Sequence, residues 1–246
     1  VMALVIRHSN YKDYDRMMTL LSPEQGRIDV IARGCRRPGS HLLGCSELFS
    51  YGQFVLRQKG ERYSVVQASI EESFYDLRYD MDRYEAACSV LEAILQVAQR
   101  GQEAEDLFQL AYYFLTYLAY SELSWEDLLI CFLLKLLAGQ GYTPATVRCG
   151  RCGNSTFKDA KFHPLLGALC GECGKKKGGD RMQPLSIEAM RRMLALSLTE
   201  VKNVCLPESV REELRKAVPR FFISHVGGQY RTPFFKNAER QQDLRQ

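Results

Sequence analysis

Two Cys-x-x-Cys pairs are the feature that most constrains how this chain can fold. They consist of Cys149 and Cys152, then Cys170 and Cys173. Each pair brings two sulfurs within reach of one ion, and a second pair after a short, hairpin-sized segment completes a tetrahedron. A glycine directly follows each cysteine, as expected where tight turns aim backbone amides back at the sulfurs. The spacing therefore predicts one structural Zn²⁺ held by four thiolates, with no open position for catalysis.

Redox chemistry and disulfides fit these cysteines less well. The chain has nine cysteines, an odd number, and Cys88 and Cys131 lie in apolar, helix-like runs where a small buried thiol is ordinary. Thioredoxin-like chemistry needs a single Cys-x-x-Cys in a βαβ setting, which the surrounding sequence does not offer. An iron–sulfur cluster or a redox pair stays open as the alternative to zinc.

The sequence also indicates a reducing compartment. The chain does not open with a charged segment, an apolar run and a small-residue cleavage site. Its most apolar stretch, residues 128–138, is too short to span a bilayer and contains Lys135. We therefore expect a cytoplasmic protein without a membrane partner, in which persistent disulfides are rare.

The neighbours of the cysteine pairs leave two questions open. His163 lies between the pairs and is a possible further ligand, although an ordinary loop residue is the commoner role. Five basic residues flank the pairs, namely Arg148, Arg151, Lys175, Lys176 and Lys177. They either offset the negative charge of the four thiolates or face a phosphate group.

The net charge of +4 conceals an uneven distribution along the chain. Residues 1–80 carry 11 Lys and Arg against 10 Asp and Glu, residues 81–148 carry 4 against 9, and residues 149–246 carry 18 against 10. An acidic middle and a basic C-terminal third favour a polyanion as the partner of the C-terminal part.

The first 75 residues have the pattern of a small β-barrel. Five stretches alternate or run apolar, at residues 3–9, 15–21, 26–34, 49–58 and 62–72. Turn residues separate these stretches, so each is expected to be a short strand. Five strands at this spacing predict a partly open barrel, and the OB-fold is the commonest barrel of that size.

Basic and aromatic side chains of the predicted barrel are candidates for phosphate binding and base stacking. Arg33, Arg36 and Arg37 crowd beside a Pro-Gly turn after the third strand, where arginines can grip phosphate with two hydrogen bonds each. An ordinary solvated turn has the same composition. The aromatic candidates are Tyr11, Tyr14, Phe49, Tyr51 and Tyr63, and each fits the core equally well.

From about Asp82 the sequence has a helical period. The first predicted helix has one apolar face made of Tyr84, Cys88, Leu91, Leu95 and Ala98. Further helices are predicted over residues 104–120, from a capping box at Ser124–Asp127 to about Gly139 or Gly141, from Ser186, and from Pro207 to His225. The cysteine pairs then form an insertion between the third and fourth helices, and residues 237–246 are expected to fray.

The chain lacks the common catalytic motifs. It has no Gly-rich loop ending in Lys-Ser/Thr, no Gly-x-Ser-x-Gly and no His-Glu-x-x-His. The carboxylate pairs Glu71–Glu72 and Glu212–Glu213 lie in polar segments and are expected to be solvated, as are Arg191 and Arg192. The sequence therefore predicts a binding protein and not an enzyme.

The order of these parts resembles the bacterial recombination mediator family RecO along nearly the whole chain. The most specific stretches are NYKDYDRMMTLLSPEQGRIDVIARGCRR (10–37), GYTPATVRCGRCG (141–153), the second cysteine pair and FFISHVGGQYRTPFF (221–235). The resemblance implies an α+β multidomain fold. An OB-fold barrel would occupy residues 1–80, an α-helical domain residues 81–246, and a zinc-binding insertion residues 148–174.

The resemblance further implies a non-catalytic DNA repair and recombination factor. Such proteins bind single- and double-stranded DNA, promote strand annealing, and work with RecR and single-strand binding protein to load RecA in the bacterial nucleoid. The four cysteines take the zinc positions, and Arg33, Arg36 and Arg37 fall on the family's basic barrel segment. Lys12, Arg16 and Lys59 are added as candidate contacts for DNA or a partner protein.

Two other classes of function stay open at this point. An OB barrel also accepts RNA, and competition between matched DNA and RNA would separate the two. The barrel is alternatively a protein-interaction adaptor whose basic residues are merely solvated. A zinc-dependent hydrolase is the remotest alternative, because four thiolates leave no coordination position open.

Overall fold

The computed structural model describes residues 1–243, which contain eight strands and seven α-helices. The strands are β1 (Met2–Tyr11), β2 (Asp15–Ser22), β3 (Gly26–Ala32), β4 (Tyr51–Lys59), β5 (Arg62–Glu72), β6 (Lys161–His163), β7 (Gly167–Leu169) and β8 (Asp180–Arg181). The helices are α1 (Met81–Val97), α2 (Glu105–Tyr120), α3 (Trp125–Gly139), α4 (Gly171–Lys177), α5 (Pro184–Ala195), α6 (Glu208–Val226) and α7 (Pro233–Asp243). Within this range, no helix is both long and apolar enough to cross a bilayer.

The first five strands close into a barrel in the order β1-β2-β3-β5-β4. Antiparallel pairing joins β1 to β4, and a short parallel pairing of Val30 and Ile31 with Tyr63 and Ser64 joins β3 to β5. Buried residues such as Val5, Leu20 and Val30 fill the interior. Buried and partly exposed residues alternate along β3, whereas β1 and β2 each contain a run of consecutive buried residues. The predicted OB-type barrel is confirmed, and it is closed where we expected a partly open one, because this parallel pairing completes the ring.

The chain divides into two compact units. The first unit contains residues 1–81 and 90–119, so the second half of α1 and nearly all of α2 belong with the barrel. The second unit contains residues 82–89 and the chain from Tyr120 onward. The division that the sequence predicted at residues 80 and 81 stays a prediction.

In the first unit, the β2–β3 turn fits closely against the α1–α2 connection. Gly26 has a φ of +62°, and a Cβ added there would lie 2.5 Å from the carbonyl oxygens of Gln99 and Gln102. The Arg27 amide donates to the same Gln99 oxygen at 2.8 Å. Only glycine suits this position, because it needs both the left-handed backbone and the space that a methyl group would take.

The second unit is built around α3, whose side chains are buried on nearly every face. Ser124 caps this helix as predicted, accepting a hydrogen bond from the Asp127 amide at 3.5 Å. The reciprocal half of the predicted capping box is wrong. The Asp127 carboxylate is buried and instead accepts from the Leu206 amide at 2.9 Å and from Arg211 Nε at 2.7 Å.

Several local predictions need correction. On α1 the fully buried positions centre on Ala87, Val90 and Ile94, whereas Tyr84, Cys88 and Leu95 of the predicted face are only partly buried. Leu91 and Ala98 are buried as expected. The fourth predicted helix, now α5, begins at Pro184 and not at Ser186, because proline suits the first helical turn.

Two carboxylates expected to be solvated have structural partners. Glu72 accepts hydrogen bonds from the Ser73 and Phe74 amides at 2.7 and 2.8 Å. Glu213 accepts from Ser186 Oγ at 2.7 Å and from the Gln183 amide at 3.0 Å, which ties α6 to the start of α5.

The C-terminal prediction is wrong as far as Asp243. Residues 233–243 form α7, where fraying was expected from residue 237. The last three residues of that expected segment lie outside the described residues.

Candidate metal centre and nucleic-acid interface

The two cysteine pairs are held by a small substructure, the metal module, which we define as residues 148–181. Its strands pair in the order β7-β6-β8, and α4 follows β7. Cys149 and Cys152 lie in a turn that the Gly150 amide fastens to the Ala168 carbonyl at 2.9 Å. Cys170 is the N-cap of α4 and Cys173 lies in its first turn. The sheet and the helix thus bring both pairs to one point.

The four sulfurs are close enough for a single ion. All four Sγ atoms lie within 4.8 Å of one another, and those of Cys152 and Cys170 are 3.7 Å apart. Sulfurs about 2.3 Å from a tetrahedral ion would be about 3.8 Å apart, so the donor set fits a metal. Three of the cysteines are buried against Leu169, whereas Cys152 is exposed. Within the described residues, no other group of potential ligands is this compact.

The electrostatics of the cluster shift the pKa values of Cys149 and Cys173 in opposite directions. Burial opposes ionisation of Cys149, but backbone amides led by that of Cys152 outweigh it and lower its pKa to about 6. Burial and the neighbouring thiols raise the pKa of Cys173 to about 12. A cation among the sulfurs would supply the positive charge that lets all four ionise.

Glycines allow the backbone of the metal module to pack this tightly. A Cβ on Gly150 would collide with the Leu166 carbonyl. Gly167 has a φ of +75°, and a Cβ there would collide with the Ala145 amide. These positions explain part of the glycine richness of the segment.

His163 lies outside the ligand group. Its Nδ1 accepts a hydrogen bond from the Leu165 amide at 3.2 Å, which closes the β6–β7 turn. Burial, together with the charge of Lys177, lowers its pKa and so favours the neutral ring that accepts this bond. The ordinary loop role is therefore the one that the structure supports.

At one end of the barrel, the structure brings together the β1–β2 turn and the loop that follows β3. The Arg36 amide donates to the Tyr14 carbonyl at 3.0 Å, and Arg36 Nη1 donates to the Asp13 carbonyl at 3.2 Å. The Gly34 amide donates to Asp15 Oδ1 at 2.7 Å. These bonds fix the arginine-bearing loop on the turn.

We define the barrel-end surface as Tyr11, Lys12, Tyr14, Arg33, Arg36 and Arg37. The Arg37 guanidinium lies 5.5 Å from the centre of the Tyr14 ring, and Lys12 Nζ lies 5.5 Å from the centre of the Tyr11 ring. Arg33 is exposed and has no ion pair within residues 1–243. The surface therefore offers cations and exposed aromatic rings side by side.

Two of the predicted contact residues lie elsewhere in the barrel. Arg16 is only 13% exposed and donates to Glu47 at 2.7 Å and to the Ser46 carbonyl at 3.1 Å, so its guanidinium is already engaged. Lys59 is exposed at the β4–β5 hairpin, opposite Arg62. The structure brings neither residue to the barrel-end surface.

Of the five aromatic candidates, two can stack on a base. Tyr11 and Tyr14 are 43% and 48% exposed, whereas Phe49 is fully buried. Tyr51 packs against Phe108 and Tyr112 of α2, and Tyr63 packs against the barrel core. Sequence periodicity could not separate these roles, because the covering helix lies more than 50 residues away along the chain.

Sequence reasoning also missed three basic residues of the metal module. Lys161 is paired with Arg181 across β6 and β8 and packs against Gly174 of α4, and Lys158 lies beside Gly171 at the start of the same helix. The excess of positive charge after residue 149 was the available signal, but it did not identify which residues meet.

Comparison with known proteins shows similarity along most of the chain. Residues 1–74 match the family model described as the N terminal of recombination protein O, and residues 78–233 match the model described as its C terminal. Together these matches extend over most of both compact units.

Individual relatives agree with the family models. The DNA repair protein RecO of Acetivibrio thermocellus is 30% identical over 240 residues, which cover 96% of each chain. That of Alkaliphilus metalliredigens is 30% identical over 224 residues, or 90% of this chain and 91% of the relative. That of Symbiobacterium thermophilum is 31% identical over 231 residues, or 91% and 90%. These descriptions name DNA repair and no catalytic activity.

Proposed function

Because the chain belongs to the RecO family of DNA repair proteins, we propose that it is a non-catalytic recombination mediator. In this role it binds single- and double-stranded DNA, promotes annealing of complementary strands, and helps to load RecA together with RecR. Single-strand binding protein is a further expected partner, and the chromosomal DNA of the nucleoid is the expected place of action. The named partners rest on family membership alone.

The barrel-end surface is the observation that carries the DNA-binding part of this proposal. Its three arginines offer planar donors that match phosphate oxygens, and its two exposed tyrosines offer rings on which bases stack. The Arg36 backbone is held by the β1–β2 turn before any ligand arrives, which lowers the entropy lost on binding. Such a surface binds the backbone without sequence readout and leaves base edges free for pairing.

We further propose that Zn²⁺ occupies the metal module and that its role is structural. Cys149, Cys152, Cys170 and Cys173 would hold it, and four thiolates are the donor set that zinc favours in closed sites. The bound ion would supply cross-linking of the two cysteine pairs and no reactive water. Lys59 and Arg16 remain candidate partner contacts in the barrel, although Arg16 would first have to leave Glu47.

The test is the salt dependence of binding to a fluorescent single-stranded oligonucleotide. Neutralising Z phosphates gives a log–log slope near −0.7Z for single strands. We expect a steep slope for the wild type, and a slope shallower by about 1.4 for Arg36→Ala/Arg37→Ala, because two phosphate contacts are lost. Arg191→Ala/Arg192→Ala is the matched control, since both arginines are exposed and paired with Glu188 on α5.

The outcomes separate the classes of function. An unchanged slope in the double variant would show that DNA does not bind at the barrel-end surface. If the wild type binds no DNA even at low salt, the result would favour a protein-interaction adaptor. Competition between DNA and RNA oligonucleotides of matched sequence tests the sugar preference. Tighter binding of RNA would contradict the repair role.

A further inference from the structure

The metal module carries a concentration of positive charge that the proposed function does not use. Residues 148–181 contain eight basic residues against three acidic ones. The basic residues are Arg148, Arg151, Lys158, Lys161, Lys175, Lys176, Lys177 and Arg181. Four thiolates with one divalent ion carry a formal charge near −2, so the module remains positive with the metal bound.

The fold brings six of these eight basic residues to one small sheet and to α4. Lys161 of β6 is paired with Arg181 of β8 in register. The Lys161 side chain also passes beneath α4, where a Cβ on Gly174 would lie 3.0 Å from it. The Gly171 amide donates to the Lys158 carbonyl at 3.2 Å, which places Lys158 beside the start of α4. Lys175, Lys176 and Lys177 directly follow Gly174 in the last turn of α4, and all three are exposed.

The acidic residues of the module do not neutralise this cluster. Asp180 is paired with the buried Arg220 of α6. Glu172 lies 3.6 Å from Lys175, and Asp159 lies 4.0 Å from Arg181, in exposed pairs of the kind that contribute little. Lys158, Lys161, Lys176 and Lys177 have no ion pair within the described residues.

In the helices of the same unit, several arginines form ion pairs with carboxylates. Arg191 and Arg192 share Glu188, and Arg215 pairs with Glu126 at 2.8 Å. Arg211 is enclosed by Asp127 and Glu208. Exposed lysines outside the module, such as Lys202 and Lys216, also have no ion pair within the described residues, so the module is distinguished by the number of such cations on one small sheet and helix.

We propose that the metal module is a second nucleic-acid surface, which binds the phosphate backbone of a strand independently of the barrel-end surface. The inference rests on the proposed function, since it assumes a DNA ligand, and it deepens it by giving each compact unit its own strand. No aromatic side chain is exposed in residues 148–181, so this surface binds phosphates without stacking on bases. One protein chain that binds one strand through cations and stacking rings and a second strand through cations alone would bring two strands together for annealing.

Two variants from different elements test the surface. The first is Lys175→Ala/Lys176→Ala/Lys177→Ala on α4, and the second is Lys158→Ala/Arg181→Ala, which leaves α4 intact. Arg191→Ala/Arg192→Ala/Lys202→Ala is the control, because it removes three exposed cations of the same unit. Zinc content, measured with a colorimetric chelator, shows whether each variant keeps the metal.

The variants are compared by binding to a fluorescent single strand across a salt series. We expect the α4 variant to bind about tenfold more weakly near 0.1 M salt and to lower the slope by about 2, with a smaller effect of the same sign for the second variant. An abasic strand of equal length should compete with the binding that remains in Arg36→Ala/Arg37→Ala, because the module needs no bases. The fold-changes of the barrel and module variants should multiply if the surfaces are independent.

Failure of this inference is distinguishable from failure of the proposed function. If the wild type binds and both module variants behave like the control, the module is not a DNA surface while the barrel proposal stands. If the wild type binds no DNA, both proposals fall. If the α4 variant loses zinc, the DNA affinity of the Lys158→Ala/Arg181→Ala variant decides whether the metal module binds DNA.

Discussion

At the scale of single residues, Cys149 is the proposed metal ligand whose ionised form backbone amides already stabilise, which lowers its pKa to about 6. We expect Cys149→Ser to lose the bound metal and to lower the thermal midpoint strongly, because metal binding in small zinc domains is worth roughly 10–16 kcal/mol apparent. DNA affinity should fall by no more than about the tenfold assigned to the metal module, because the barrel-end surface belongs to the other compact unit. Metal analysis, calorimetry of the melting midpoint and fluorescence anisotropy of DNA binding check these expectations. Cys205→Ser, at an exposed cysteine, is the control. An unchanged midpoint with weakened DNA binding would contradict them.

Asp29 gives the barrel a pH-dependent contribution to stability. Burial raises its pKa, but hydrogen bonds led by that from Thr19 Oγ1 at 2.7 Å, with Arg100 and Arg27, outweigh burial and hold the pKa below its ordinary 3.8. Because the pKa of this carboxyl group is lower in the folded protein than in the unfolded chain, the ionised group stabilises the fold at pH values above the unfolded-state pKa. This contribution to stability is lost as the pH falls through the folded-state pKa.

Asp29→Asn should therefore destabilise the barrel by about 1 kcal/mol at neutral pH, the usual net contribution of such bonds. The difference from wild type should shrink below about pH 3.8, where the carboxylate is protonated in the unfolded chain and then in the folded one. Urea titrations at a series of pH values measure this difference in the free energy of unfolding, with Glu24→Gln at an exposed position as the control. A difference that grows on acidification would refute the assignment.

Residue types predicted the clustering of the four cysteines but not the surroundings of the cations and rings in the barrel. The cysteine spacing alone located a group whose sulfurs all lie within 4.8 Å. Arg16 and Arg36 look equivalent in the sequence, yet Arg16 is bound by Glu47, 31 positions away, whereas Arg36 is held by the neighbouring turn. Contacts between distant residues decide such cases, and no local pattern encodes them.

At the scale of elements, the β2–β3 turn depends on one glycine. Gly26→Ala should cost about 2–4 kcal/mol, because the left-handed backbone and a 2.5 Å approach to two carbonyl oxygens are both unfavourable. Gly60 has the same φ of +62° with nothing within 4 Å, so Gly60→Ala should cost only about 1 kcal/mol. Equilibrium unfolding of the two variants separates steric collision from backbone strain. Equal losses would show that the contact with the α1–α2 connection contributes nothing.

Hydrophobic periodicity predicted which segments form strands and which form helices. Turn and capping residues predicted most of the ends of these elements. The five barrel strands lie within about two residues of their predicted positions, because alternation and turn residues agree there. The capping box at Ser124 was half right, since a tertiary contact to Arg211 captured the Asp127 carboxylate. The buried face of α1 was also displaced, because its packing partners and not its own pattern select the face.

At the scale of the whole molecule, removal of the metal should affect the two compact units unequally. The metal module lies in the second unit and is tied to α6 by the pair of Asp180 with Arg220. The single tryptophan, Trp125, lies in that unit as well and reports on it alone. A zinc chelator should therefore lower the tryptophan-detected melting midpoint and speed amide exchange in residues 148–181 and in α6. Exchange in β1–β5 should stay unchanged, and faster exchange there would show that the barrel also depends on the metal.

The architecture was accessible from sequence because each part has its own periodicity. An alternating segment, a helical segment and a glycine-rich cysteine segment follow one another, and they become the barrel, the helices and the metal module. The membership of α2 in the barrel unit was not accessible, since its apolar surface pattern does not identify which neighbour it covers.

The hydrogen bonds from the Arg36 backbone and side chain to Tyr14 and Asp13 have an evolutionary consequence. The arginine-bearing part of the loop, residues 33–37, contains no helix or strand and is hydrogen-bonded to the β1–β2 turn. An insertion in either segment would leave the other without its partner. Across related proteins, the lengths of these two segments should therefore change together, so that two stretches separated by a complete hairpin are inherited as one unit.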